Sequence, residues 1–387
     1  MTNAHLTQIP FFAETIKSLK DTILANIILI GQVPAPTFEE HQRAALLLER
    51  FSNAGLERCT TDSIGNPVGV IPGTDPEKPP IFLVAHLDTV VDKDIEHNYT
   101  VTQNRVYGPG ITDNSAGVGV LASLPDIFSA LDLTFGSDIV LAGVVRSIGE
   151  GNLEGINSLV RHWPTPIRGA LSLESCDLGR LSYFSEGLRR CEIHCSLPKG
   201  MNNKRWFRPN AILVLNEIIN QIMEMRIPQK PRTRVVIGRI AGGFKHGVTA
   251  YDATLGFEIQ SDSVDMVKSV CADIRDIVEG VGHEYQVSLK MKTISEQHPS
   301  RLKFSHPLVK STVSIMKKLK LEPVSVPSES ELSVFLSHDI PAVTLGITTG
   351  AASRTPQNDK IRIEPIFKGI AQVVGVVQAI DDGVCDE

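Results

Sequence analysis

Four segments in the first half of the chain are apolar at almost every position: Pro67–Ile71 (PVGVI), Ile81–Ala85 (IFLVA), Asp138–Val145 (DIVLAGVV) and Gly169–Leu173 (GALSL). A strand with one face in water alternates apolar and polar residues, whereas a strand buried on both faces does not. Helix-like runs separate these segments, notably Ser115–Phe128 and Leu153–Arg161. Thr37–Glu40 (TFEE) reads as a capping box ahead of the amphipathic run HQRAALLLERF. Apolar strands alternating with helices predict an α/β fold, a mixed sheet flanked by helices on both faces.

The middle of the chain reads differently. Glu186–Leu197 is strand-like, Pro209–Met225 helical, Arg232–Ile240 and Ala250–Gln260 strand-like, Ser263–Val281 helical and Tyr285–Met291 strand-like. This β-α-β-β-α-β order is the split-βαβ (ferredoxin-like) pattern of a small α+β sandwich. The first pattern resumes with a helix from Ser305 (SHPLVKSTVSIMKKLK), a strand at Ala342–Leu345 and a helix at Pro365–Ala379. The expected organisation is a larger domain from residues 1–185 and 297–387 with a smaller one, 186–296, inserted. At 387 residues the chain is long enough for both.

Composition narrows the function classes. Hydrophobic residues make up 42% and charged residues 21%, as in ordinary soluble proteins. The net charge of −6 argues against a nucleic-acid partner, and the densest basic stretch, Lys199–Arg208, reads as a solvated loop. The six cysteines are scattered without a CxxC pair, which points to reduced thiols in a cytoplasmic protein. The N-terminus lacks the pattern of a signal peptide, and the apolar stretch Ile23–Val33 is too short to span a bilayer. No membrane partner is expected.

The chemistry-bearing residues stand at strand ends. His86 and Asp88 follow the strand Ile81–Ala85, where open α/β sheets bind ligands. Residues i and i+2 of a strand share a face, so the Asp88 carboxylate is expected to accept the spare imidazole N–H of His86. A Gly-rich turn (GPGITDNSAG) delivers Asp113 and Asn114 to the start of a helix. Glu150 sits between two glycines after the strand Asp138–Val145, and Glu174 ends the run LSLES. One imidazole and two carboxylates with a fourth position open make a sensible catalytic zinc shell. A free carboxylate beside it is the natural general base.

HLD, the DN-x-x-G helix start, GE after a strand and the order of elements together resemble the co-catalytic zinc exopeptidases. These include carboxypeptidase G, acetylornithine deacetylase, succinyl-diaminopimelate desuccinylase and tripeptidase T. The resemblance spans nearly the whole chain and implies that residues 186–296 are a lid or dimerisation domain. It also implies roles: His86 and Glu174 as ligands of the second metal site, Asp88 as orienting partner, Asp113 as bridging ligand and Glu150 as general base.

The chain departs from the family pattern at several positions. Gly151 stands where a second glutamate, a ligand of the first site, is expected; Glu154 could reach back only from a remodelled loop. Arg354, in GITTGAASRTPQNDKI, takes the place of a histidine ligand. Its guanidinium could stand in for the first metal, bridging Asp113 and Glu150. The lid turn lacks the family histidine, leaving Asn202 or Asn203 to donate hydrogen bonds. His246 or Gly247 falls near a substrate-binding asparagine, and Gln260 replaces an arginine, which argues against a free-carboxylate peptide. The expectation is a hydrolase of amide bonds, peptide or N-acyl, in a small substrate. It would carry one zinc ion, with manganese or cobalt as alternatives, and could form a homodimer through the lid. The alternatives are a catalytically inactive relative acting as a binding or scaffold protein, and a changed chemistry such as a lyase or acyl transferase.

Overall fold

A computed structural model describes residues 3–197 and 209–386. The chain divides into two compact units, Met1–Ser185 with Arg301–Glu387, and Glu186–Ser300.

The first unit is built on eight strands: β1 (Glu57–Thr61), β2 (Pro67–Ile71), β3 (Ile81–His86), β4 (Ile139–Val144), β5 (Gly169–Leu178), β6 (Arg180–Ser182), β7 (Val324–Ser325) and β8 (Ala342–Gly346). Their order is β1-β2-β4-β3-β5-β8-β6-β7. The central strands β4, β3, β5 and β8 run parallel, while β1, β2 and β6 pair antiparallel with neighbours, so the sheet is mixed.

All six residues of β3 and of β4 are buried. Ile81, Leu83 and Ala85 join Ile139 and Leu141 in the larger core, beneath helices Lys20–Gly31, Ala116–Ala130 and Glu364–Asp381. Phe82 and Val84 join Val140, Ala142 and Val144 in a second core on the other face, with helices Glu154–His162 and Leu332–Ser337. Each large side chain removed from water this way contributes about 2–3 kcal/mol, which explains why these strands have no polar alternation.

In the second unit four antiparallel strands are ordered Thr233–Gly242, Asp252–Ser261, Gly187–Ser196, Ser288–Gln297. Helices Ala211–Glu224 and Val264–Tyr285 share a core with them. Asn210 and Ser263 cap these helices by accepting from the backbone N–H of Ile212 and Met266. The last strand begins later than the sequence suggests. Val278, Val281 and Tyr285 continue the helical spacing, and Gln286 ends the helix at φ 54°. All six cysteines are free thiols. Among the described residues, no helix is long and apolar enough to cross a membrane.

Candidate metal centre

The sheet register brings His86 and Glu174 together. Phe82 pairs with Ala170 and Val84 with Ser172 across the parallel strands β3 and β5. Two residues further along each strand, on the same face, come His86 and Glu174. Asp113 arrives from the turn Ile111–Ser115 that leads into helix Ala116–Ala130. His86 Nε2 lies 3.1 Å from Asp113 Oδ1 and 3.9 Å from Glu174 Oε2. One ligand atom from each of the three lies within 4.8 Å of the others.

The orientation of His86 differs from the expectation. Its Nδ1 is 3.0 Å from the backbone carbonyl of Asp88 and 3.6 Å from the carboxylate Oδ1. Strand β3 ends at His86, so the alternation of faces does not continue to residue 88. An Nδ1–H donated to that carbonyl directs Nε2 toward Asp113 and Glu174, where it carries a proton in the metal-free protein and would offer its lone pair to a bound ion that displaces that proton. The fully buried Asp88 carboxylate serves the surrounding loops: Oδ2 accepts from Thr37 Oγ1 at 2.9 Å and from the Ile148 N–H at 2.8 Å. The capping box at Thr37–Glu40 therefore does not form. Helix His41–Asn53 begins without a side-chain cap, and Glu40 Oε1 accepts from the N–H groups of Phe38 and Arg146.

Further buried groups, not singled out as site residues from the sequence, hold the ligands. Asn114 Nδ2 donates to the Leu173 carbonyl at 2.8 Å, and its Oδ1 accepts from the Ser175 N–H at 2.8 Å, bracketing Glu174. Gly117 is required beside it, because a Cβ there would fall 2.3 Å from Asn114 Oδ1. The buried Glu331 carboxylate accepts from Ser147 Oγ at 2.8 Å and Ser172 Oγ at 3.1 Å, joining the loop after β4 to β5. Arg43, fully buried, donates to the carbonyls of Leu87 and Val33 and so pins the end of β3. The only sequence signal for it was a charged residue on an otherwise apolar helix face.

The electrostatics suit a cation. Burial pushes the Glu174 carboxyl up to about 7. Burial also disfavours a charged His86, yet the neighbouring Asp113 and Asp88 carry its proton affinity well above the usual histidine range. For Asp88 and Asp113 burial opposes ionisation, but His86 holds both carboxyls below their ordinary value. A nitrogen and two carboxylate oxygens at these separations fit a small divalent ion with bonds of about 2 Å, and such an ion would relieve the burial of Glu174. His86, Asp113 and Glu174 would hold it.

The other sequence candidates are not among the ligand atoms that converge there. Glu150 is exposed on the turn Gly149–Gly151 and makes no hydrogen bond or ion pair among the described residues. Gly151 has no room for a side chain, since a Cβ would meet the Arg146 backbone at 2.6 Å. Glu154 does not reach back; it pairs with Arg146 Nη1 at 2.9 Å. The proposed bridge from Arg354 is also absent. Arg354 is exposed and makes no ion pair among the described residues, and the guanidinium that acts on Asp113 and Glu174 is that of Arg180. In the second unit His246 is exposed, while Gln260 is buried with its amide engaged by Arg234 and Glu258. Asn202 and Asn203 lie outside the described residues.

Residues 66–178, which carry His86, Asp113 and Glu174, match the model of peptidase family M28. Residues 188–286 match that of a peptidase dimerisation domain. The fold is shared with aminopeptidase PepT from Bacillus cereus at a TM-score of 0.71 and 18% identity, covering 93% of this chain and 98% of that one. It is shared with the dipeptidase Dug1p from Saccharomyces cerevisiae at 0.76 and 12% identity, covering 98% and 99%. The Bacillus subtilis protein YXEP, described as a dinuclear metal-binding peptidase of the M20 family, matches at 0.64 and 12% identity, covering 94% and 98%. The chain therefore shares the fold of these peptidases, and two peptidase family models each match a part of it. No curated protein matches it in sequence. In this chain a mixed α/β unit accompanies a small unit matched by the dimerisation model.

Proposed function

We propose that this zinc exopeptidase relative hydrolyses an amide bond, peptide or N-acyl, in a small substrate, using a single divalent ion. The observation that carries this reading is the convergence of His86 at the end of β3, Glu174 within the neighbouring β5 and Asp113 on the adjoining turn. Zinc suits the mixed nitrogen and oxygen donors, with manganese and cobalt as alternatives. Such an ion, when bound, supplies Lewis acidity to an amide carbonyl and makes water more acidic. Asp88 and Arg43 hold the end of β3 so that His86 presents Nε2, and Asn114 holds Glu174. Glu150 takes a proton from the attacking water and returns it to the leaving nitrogen.

Three features support one ion where a relative is described as dinuclear. Gly151 leaves no space for a ligand, Glu154 is occupied by Arg146, and Arg354 is an exposed cation. The first unit is then the catalytic domain and the second the lid. Homodimerisation is supported by the edge strand Thr233–Gly242, whose outer side has no strand partner among the described residues and where Val236 and Ile240 are exposed. The free thiols support a reducing, cytoplasmic setting.

The test combines elemental analysis with turnover of dipeptides and N-acyl amino acids. The expected result is about one ion per chain, with Glu150→Gln abolishing turnover while retaining the metal. Full activity in metal-free protein ends the reading. A second reading, a non-catalytic binding protein, is favoured by one observation: nothing among the described residues holds the Glu150 carboxylate in place. Bound metal without turnover of any compound in the panel selects it.

A further inference from the structure

Phe38 occupies the left-handed region at φ 76°, where a bulky side chain is an outlier. Glycine would adopt that backbone without strain, so the local fold does not need an aromatic residue there. The loop is nonetheless fixed around it. The Phe38 N–H donates to Glu40 Oε1 at 3.0 Å, and the hydroxyl of the preceding Thr37 donates to Asp88. Phe38 stays 52% exposed. Strain of this kind persists where the surroundings over-determine it, and it concentrates at ligand sites.

Two more elements meet the same loop. Pro36 pairs with Thr89, which brings the segment after Asp88 alongside, and the next residue, Val90, is 74% exposed. Arg146, also left-handed at φ 55°, sets its guanidinium 5.7 Å from the Phe38 ring centroid, and its N–H is held by the same Glu40 oxygen. The charges nearby are neutralised in pairs, Arg146 with Glu154 at 2.9 Å and Lys93 with Glu39 at 2.8 Å. What remains beside Asp88 is an exposed apolar surface whose nearby cations, Arg146 and Lys93, are already paired, while the neighbouring carboxylates Asp92, Asp94 and Glu150 make no ion pair among the described residues and disfavour an anionic group.

We propose that Phe38, with Val90 on the adjoining loop and Arg146 on one face of the ring, forms a subsite for an uncharged aromatic or branched apolar side chain of the substrate. This rests on the reading of the neighbouring cluster as an amide hydrolase centre, and it names the substrate class that centre takes. The ring offers stacking area, and the guanidinium polarises it from one side.

The test uses the zinc-loaded full chain, with Phe38→Gly and Phe38→Tyr. Equilibrium binding of L-phenylalanine hydroxamate and L-alanine hydroxamate is measured beside turnover of N-acetyl-L-phenylalanine and N-acetyl-L-alanine. The wild type should favour the phenyl compounds. Phe38→Gly should cut that preference about tenfold, equivalent to about 1.4 kcal/mol from partial burial of a ring. Phe38→Tyr should keep it. The melting temperature of Phe38→Gly should hold or rise as strain is released, whereas a purely structural Phe38 would make it fall. Equal binding of the two hydroxamates by the wild type, no binding of either, or a preference unmoved by Phe38→Gly overturns the subsite. Phe38-dependent binding without any turnover keeps the subsite and removes the hydrolase reading. Turnover indifferent to Phe38 does the reverse.

Discussion

Replacing Glu174 with glutamine should change stability in opposite directions with and without metal. In the metal-free protein burial pushes the Glu174 carboxyl from its ordinary 4.5 up to about 7. The side chain is only 15% exposed, so solvent screens it little. The folded chain then holds this proton more tightly than the unfolded chain. Stability is complete below the unfolded value and declines as pH rises through about 7. At about 1.36 kcal/mol per pH unit the full difference is about 3 kcal/mol. Glutamine never ionises. Metal-free Glu174→Gln should therefore exceed the wild type by about 1 kcal/mol at pH 5, rising to about 3 kcal/mol at pH 8.5. His86 also holds its proton more tightly when folded, but it does so in both proteins and largely cancels.

The assay is urea unfolding in chelator, followed by the fluorescence of Trp163, which packs edge-on 4.8 Å from Phe82 in the second core of the first unit. A Trp206→Phe background leaves Trp163 as the sole tryptophan. Zinc then reverses the order. At one hundred times the dissociation constant the wild type gains about 2.7 kcal/mol, and the variant, missing a ligand, gains far less. A stability gap that does not change with pH, or a variant less stable than the wild type in chelator at high pH, refutes the reasoning.

Two further substitutions probe the groups behind the ligands. Asn114→Ala leaves the Leu173 carbonyl and the Ser175 N–H bare in a buried place; it should lower stability by about 2–4 kcal/mol and zinc affinity at least about tenfold, measured by denaturation and calorimetry. Arg43→Met strips the partners from Leu87 and Val33 and should cost about 3 kcal/mol in urea unfolding, with Arg43→Lys recovering only part because one ammonium lacks the span of the guanidinium fork.

Strand β3 shows how much of this was written locally. Its unbroken apolar run announces burial on both faces, and Phe82 and Leu83 do enter separate cores. The same run ends at His86, so the location of the ligand could be read along with the strand. TFEE shows the opposite case. The pattern fits a helix cap, but Thr37 finds Asp88 and Glu40 finds Phe38 and Arg146, partners distant or non-helical that a local motif cannot specify. Arg354 was judged by its place in the sequence, but on its loop it is exposed and makes no ion pair among the described residues.

The sequence by itself determined much of the strand and helix order and pointed to His86, Asp113 and Glu174 as candidate donors, because burial and side-chain periodicity are local properties of the chain. Tertiary structure alone decided which groups hold those donors. Asn114, Glu331 and Arg43 act across separations of 44 to 184 residues on Leu173, the Ser147 and Ser172 hydroxyls, and Leu87. A buried polar group is satisfied by whichever partner the packed sheet brings to it, and no stretch of sequence names that partner in advance.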